Sequence, residues 1–134
     1  MITWNAAERV LCILLGFIHV ALGFATAVGG RERFPAPGYT PLLELSHGVV
    51  WPYGATWAIG GLLMLVFNDS WPRLVGIALV VFISNLWAAL FLVAAYDDSA
   101  APLTPVAAYG GYGLLNAVLA ALIVMHARWE DGAD

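Results

Sequence analysis

The sequence predicts an all-α protein: an integral membrane bundle of four transmembrane helices forming a single domain over residues 1–134. Three observations predict it. Of the 134 residues 62% are apolar and only 10% are charged, where soluble domains carry about 25% charge. The mean hydropathy is +0.85. The apolar residues also gather into four runs near the length of about 20 residues that crosses a hydrocarbon core as a helix. A soluble chain this small keeps too much surface in contact with water to hide so much apolar area. Lipid leaves unpaired backbone groups unsatisfied, which favours helices, and the alternating pattern of a barrel strand is absent.

The first run covers residues 8–28 and ends at Gly29, Gly30 and Arg31. It is longer than the apolar stretch of a secretory signal and lacks a basic segment before it, so it is read as a span. The second covers residues 48–67. A polar turn of Asn68, Asp69, Ser70, Trp71, Pro72 and Arg73 separates it from the third, residues 74–95. Asp97, Asp98 and Ser99 close the third, and residues 105–125 make the fourth. Trp4, Trp51, Trp71, Tyr96 and Trp129 fall near the predicted span ends, where amphipathic rings favour the headgroup zone. Arg9, Arg73 and Arg128 fall on one side of this arrangement, and Arg31 and Arg33 on the other. By the basic-residue rule that bias places both termini in the cytoplasm.

The connection over residues 31–47 is the one long irregular segment. Pro35, Pro37, Gly38 and Pro41 rule out a continuous helix through its first half. Residues 40–46 suit a short helix on the membrane surface with Leu42, Leu43 and Leu45 turned inward. A connection of this length is either a tether or a contact surface for a partner membrane protein. Arg31, Arg33, Tyr39, Glu44 and His47 are its candidate partner residues, with Glu44 and His47 on one helical face.

Comparing span midpoints brings out a polar set. His19, Asn85 and Asn116 lie near the centres of the first, third and fourth spans, with Ser84 and Trp57 at similar depth. Each is costly against lipid, so all three are expected to face the interior and hydrogen-bond to one another. Such residues commonly hold helices together. The alternative is the polar waist of a pore or binding site, with His19 as the ionisable member. Small residues mark candidate packing faces: Gly23 and Ala27 in the first span, and Gly113, Ala117 and Ala121 in the fourth. The partner of such a face is another helix of the chain or a second copy of it.

Other chemistry is missing from the sequence. No carboxylate pair inside the membrane, histidine pair at ligand spacing or phosphate-binding loop occurs, so no catalytic residue, cofactor or metal is expected and the chain is not read as an enzyme. A net charge of −4 spread over loops and tail offers nothing to nucleic acid. The single Cys12 has no internal partner and reads as a small buried apolar residue.

All five basic residues are Arg, beside abundant Ala, Gly and Val. That bias matches GC-rich coding sequences such as those of actinobacteria and their phages. The Gly-rich first span, the Arg- and Pro-containing segment Arg31-Glu32-Arg33-Phe34-Pro35 and the opening Trp51-Pro52-Tyr53-Gly54 of the second span resemble the small four-helix membrane proteins of actinobacteriophages grouped with holin-like lysis proteins. The outline is also similar to DoxX-like four-helix membrane proteins, though the intramembrane charges expected of an oxidoreductase link are lacking. The phage resemblance implies a protein of the host inner membrane that oligomerises to form a lesion. The acidic tail over residues 130–134 departs from the basic tail common in holins. Two other roles are compatible with the residues: a membrane-anchored binding or exclusion module acting through the 31–47 loop, and a small carrier using His19.

Overall fold

The computed structural model describes residues 4–29, 39–97 and 103–131, so Arg31 and Arg33 lie outside the described residues. Among those described, the chain is helical throughout: α1 (Trp4–Gly29), α2 (Thr40–Leu45), α3 (Trp51–Val66), α4 (Pro72–Asp97) and α5 (Thr104–Asp131). That is five helices where the hydropathy pattern predicts four. The additional one, α2, is the short helix expected near residues 40–46. Three helices, α1, α4 and α5, are long and apolar enough to cross a membrane.

The second expected span is the one that differs. Residues 48–67 were expected as a full crossing, yet α3 has 16 residues and is about 24 Å long at 1.5 Å per residue. Its start is fixed by the turn that ends α2. His47 and Gly48 both take positive φ, 52° and 80°, and a helix cannot run through that conformation. Pro52 then occupies the first turn of α3, where its missing N–H costs nothing. At the other end Phe67 leaves helical geometry, and the Asn68 side-chain amide donates to the Leu65 carbonyl at 2.8 Å.

The α2 stop is a Schellman turn. The Gly48 N–H donates to the Leu43 carbonyl at 2.7 Å and the His47 N–H to the Glu44 carbonyl at 3.2 Å. The left-handed residue of this turn is His47, not the usual glycine. A side chain there costs about 1 kcal/mol or more. His47→Gly is therefore expected to raise stability by about 1 kcal/mol, measured by unfolding in detergent micelles. An unchanged stability would mean that the His47 side chain makes a compensating contact.

α1 runs antiparallel to α3, α3 to α4, and α4 to α5, each neighbour packed along the next. The α1–α3 seam is set by glycines in reciprocal register. A Cβ on Gly61 would stand 2.6 Å from the Gly16 carbonyl oxygen, and one on Gly54 would stand 2.5 Å from that of Gly23. Seven residues separate the pair in each helix, two turns, so both approaches fall on one line. Ala27 and Ala58 fill the remaining space. A Cβ on Gly76 would likewise stand 2.5 Å from the Gly60 carbonyl oxygen, and this approach sets the α3–α4 seam. The predicted face of Gly23 and Ala27 thus packs within the chain. Gly113 lies against the Asn85 side chain, while Ala117 and Ala121 are exposed.

Between the helices the interior divides. Near the end carrying α2 it is aromatic: the Trp87 and Tyr109 rings are 4.9 Å apart, and the Tyr39 ring meets Phe91 edge-on at 4.8 Å. α2 caps this end with Leu42 buried, held by the Tyr53 hydroxyl donating to the Leu42 carbonyl at 3.2 Å. Burial pushes the Tyr39 phenol above its ordinary pKa, so it stays neutral. Towards the opposite end the interior is aliphatic, built from Leu15, Met64, Ile77, Leu119 and Ile123 around Cys12.

Candidate functional site

His19 and Asn116 face each other across the interior, both fully buried. Their position follows from helical spacing. His19 lies on the α1 face that also carries Cys12, Leu15 and Gly23, all buried. Asn116 shares its face of α5 with Leu119 and Ile123. Asn116 Nδ2 is 3.1 Å from His19 Nε2 and donates to the Tyr112 carbonyl at 2.8 Å. A carbonyl can only accept, so the second bond fixes which end of the amide is the nitrogen. The remaining amide hydrogen then points to Nε2, which must be the unprotonated ring nitrogen, and the proton sits on Nδ1.

This pairing is incomplete. Among the described residues His19 Nδ1, Asn116 Oδ1 and the buried Ser84 Oγ have no hydrogen-bond partner. Each is a strong donor or acceptor held away from water, and such a group costs about 1–3 kcal/mol. Aromatic rings close in around the imidazole. Trp57 lies at 5.2 Å and Tyr112 at 6.2 Å between ring centroids. The arrangement can hydrogen-bond a small polar species, but among the described residues no carboxylate pairs with the imidazole to make it an acid–base pair.

Asn85 does not join them. Ser84 is fully buried and Asn85, one residue on, is exposed. A helix turns about 100° per residue, so two neighbours cannot face the same interior. Asn85 Nδ2 donates back to the Val81 carbonyl at 2.8 Å, and its amide lies over Gly113. The expected cluster of His19, Asn85 and Asn116 is therefore a pair, with Ser84 the inward polar residue of α4.

A second polar centre was not expected. Glu8, 5% exposed, places its carboxylate 3.4 Å from Arg73 Nη2 and 3.3 Å from His126 Nδ1. Arg73 Nη1 also donates to the Asn68 carbonyl at 2.7 Å. One carboxylate so links α1, α4 and α5 at the end opposite α2. Arg9 and Asp69 pair beside it at 3.1 Å, both exposed. The signal for Glu8 was its spacing: Glu8, Cys12, Leu15 and His19 stand at i, i+4, i+7 and i+11, one helical face. His126 lies partly inside this cluster.

Of the loop residues, Glu44 and His47 are exposed and Tyr39 is half-buried. Among the described residues no three His, Cys, Asp or Glu side chains are placed to hold a metal ion. Comparison with protein-family models, with curated proteins and with solved structures returned no match to this chain.

Proposed function

We propose that the chain is a phage-type protein of the bacterial host inner membrane that acts by associating with copies of itself, in the manner of a holin-like lesion former. In this reading α1, α3, α4 and α5 all cross the bilayer and both termini are cytoplasmic. Trp51, which opens α3, and Trp71, in the turn between α3 and α4, are both exposed and suit that placement, since a short span is accommodated by thinning of the local bilayer.

The observation that carries the proposal is the half-satisfied polar pair at the α1–α5 seam. The α1–α3 and α3–α4 seams are closed by backbone approach at glycines. α5 instead reaches α1 through the side-chain contacts of Asn116 with His19 and of His126 with Glu8. Opening that seam in an assembly of several copies would expose His19 Nδ1, Asn116 Oδ1 and Ser84 Oγ to a wet lumen, where each finds a partner. The glycine seams would stay intact.

The test is membrane potential and growth after controlled expression in a bacterial host, with His19→Leu alongside. Abrupt depolarisation at a set time after induction is expected of the wild-type chain. His19→Leu removes the polar bond across the seam and is expected to shift that time. An intact potential with normal growth would sink the lesion reading.

A second reading has its own observation. His47 keeps a strained left-handed backbone in an exposed turn, one helical turn from the exposed Glu44, and strain of this kind concentrates where side chains are held for function. It favours a binding or exclusion module that contacts another membrane protein through the 31–47 loop. That module predicts resistance to infection with normal growth, abolished by changes at Glu44 and His47.

A further inference from the structure

We infer that two copies of this chain meet along the outer face of α4, with the Asn85 amides of the two copies hydrogen-bonded to each other across a two-fold axis. The inference deepens the reading that copies associate and rests on that part of it alone; it does not need the lesion.

Asn85 stands at the middle of Pro72–Asp97, a helix apolar enough to cross a membrane, and it is exposed. No water is available at that depth, so an outward amide there needs a polar partner. Its own helix supplies one bond, from Nδ2 to the Val81 carbonyl. That bond uses one of two amide hydrogens and neither lone pair of Oδ1. The nearest exposed residues on this face are Phe82 and Ala89, and neither side chain has a hydrogen-bonding group. Gly113 holds the amide in place. A Cβ there would stand 2.8 Å from Asn85 Nδ2 and 3.1 Å from its Cγ, so the side chain rests directly on the α5 backbone. The amide is thus a fixed outward group and not a freely rotating one.

The occupant follows from the chemistry of a primary amide. It donates and accepts at once, so the best-matched partner at the same depth in the same bilayer is another Asn85. An isologous contact of this kind places each residue near its own counterpart. Ala89, exposed one turn along and small, lets the two α4 backbones come close enough for side chains this short to meet. A single self-paired contact also fits the size of such bonds in membranes, which bias association without making it irreversible.

The test is disulfide crosslinking in native membranes of the full-length chain carrying a single added cysteine. Cys12 is fully buried, so the unmodified chain is the control. Ala89→Cys is expected to crosslink to its counterpart, and Leu62→Cys on the exposed face of α3 is not. Adding Asn85→Leu to Ala89→Cys is expected to lower the dimer yield by about tenfold, and Asn85→Gln to restore much of it. Circular dichroism of Asn85→Leu checks that the bundle still folds. If it does not, Phe82→Trp, which enlarges an outward side chain, serves instead and is expected to lower the Ala89→Cys dimer. An Ala89→Cys chain that stays monomeric, or whose dimer is indifferent to both position 85 and position 82, overturns the inference. Membrane potential in the same cultures keeps the two ideas apart. A position-85-dependent dimer with an intact potential supports this interface and removes the lesion reading, whereas depolarisation without the dimer does the reverse.

Discussion

Gly54→Val is expected to abolish the native bundle, with a loss above about 3 kcal/mol, because overpacking that only backbone movement can relieve exceeds the usual cost of an oversized side chain. The first carbon of any side chain at Gly54 would stand 2.5 Å from the Gly23 carbonyl oxygen and 2.6 Å from the Ala27 amide nitrogen. Both are backbone atoms, and neither can rotate away. The α1 and α3 axes would have to separate, and Gly61, in the same tight register with Gly16 two turns along, would lose its contact too. A branched side chain worsens this, because Val adds two more carbons at the crowded point. The measurement is the yield and thermal stability of folded protein in detergent, with Gly111→Val as the matched control. Nothing lies within 4 Å of a Cβ at Gly111, so that variant is expected to stay folded. Equal stability of the two variants would mean that the α1–α3 seam does not depend on backbone contact.

That seam also marks how far the sequence could be read. Gly23 and Ala27 stood out as a packing face because they are four apart, and they do pack, within the chain against Gly54 and Ala58. Gly16, Gly54, Gly60, Gly61 and Gly76 carry no packing signal of their own, since in a chain with 14 glycines any single one is unexceptional. Their meaning lies in the matched seven-residue spacings of two helices that run in opposite directions, a property of a pair of segments. The helical class, the long α1, α4 and α5 and the short α2 were legible from hydropathy and breakers, because those depend on local composition. The length of α3 was not, because the Schellman turn at His47 and Gly48 consumes residues that hydropathy alone assigns to a span. For the polar residues, depth was legible and direction was not. His19, Asn85 and Asn116 were grouped by distance along their helices, and only the angle around the α4 axis separates the inward Ser84 from the outward Asn85. Glu8 was the opposite case. Its spacing to Cys12 and His19 carries its direction, but nothing local marks Arg73 and His126 as the groups its carboxylate meets across the bundle.

Glu8→Leu is expected to cost about 3 kcal/mol, as removing one partner of a buried ion pair typically does. The Glu8 side chain is 6% exposed and that of Arg73 14%, so the variant would leave the guanidinium largely out of water with the Asn68 carbonyl as its remaining partner among the described residues. The double variant Glu8→Leu with Arg73→Met removes both charges and is expected to recover much of the loss, since a well-packed apolar pair often replaces a buried ion pair at little cost. A double-mutant cycle measured by unfolding in detergent separates these expectations. Equal losses for Glu8→Leu and for the double variant would mean that the cost comes from packing at residue 8 and not from the stranded charge. The same substitution bears on how the bundle opens. His126 reaches α1 through the Glu8 carboxylate, and Asn116 with His19 is a second polar contact between α5 and α1. Faster backbone amide exchange is therefore expected in the last turns of α5 in Glu8→Leu, with α3 protected by its glycine seams. If exchange instead rises equally in α3 and α5, the α1–α5 side is no weaker than the rest, and an assembly that opens along it loses its physical basis.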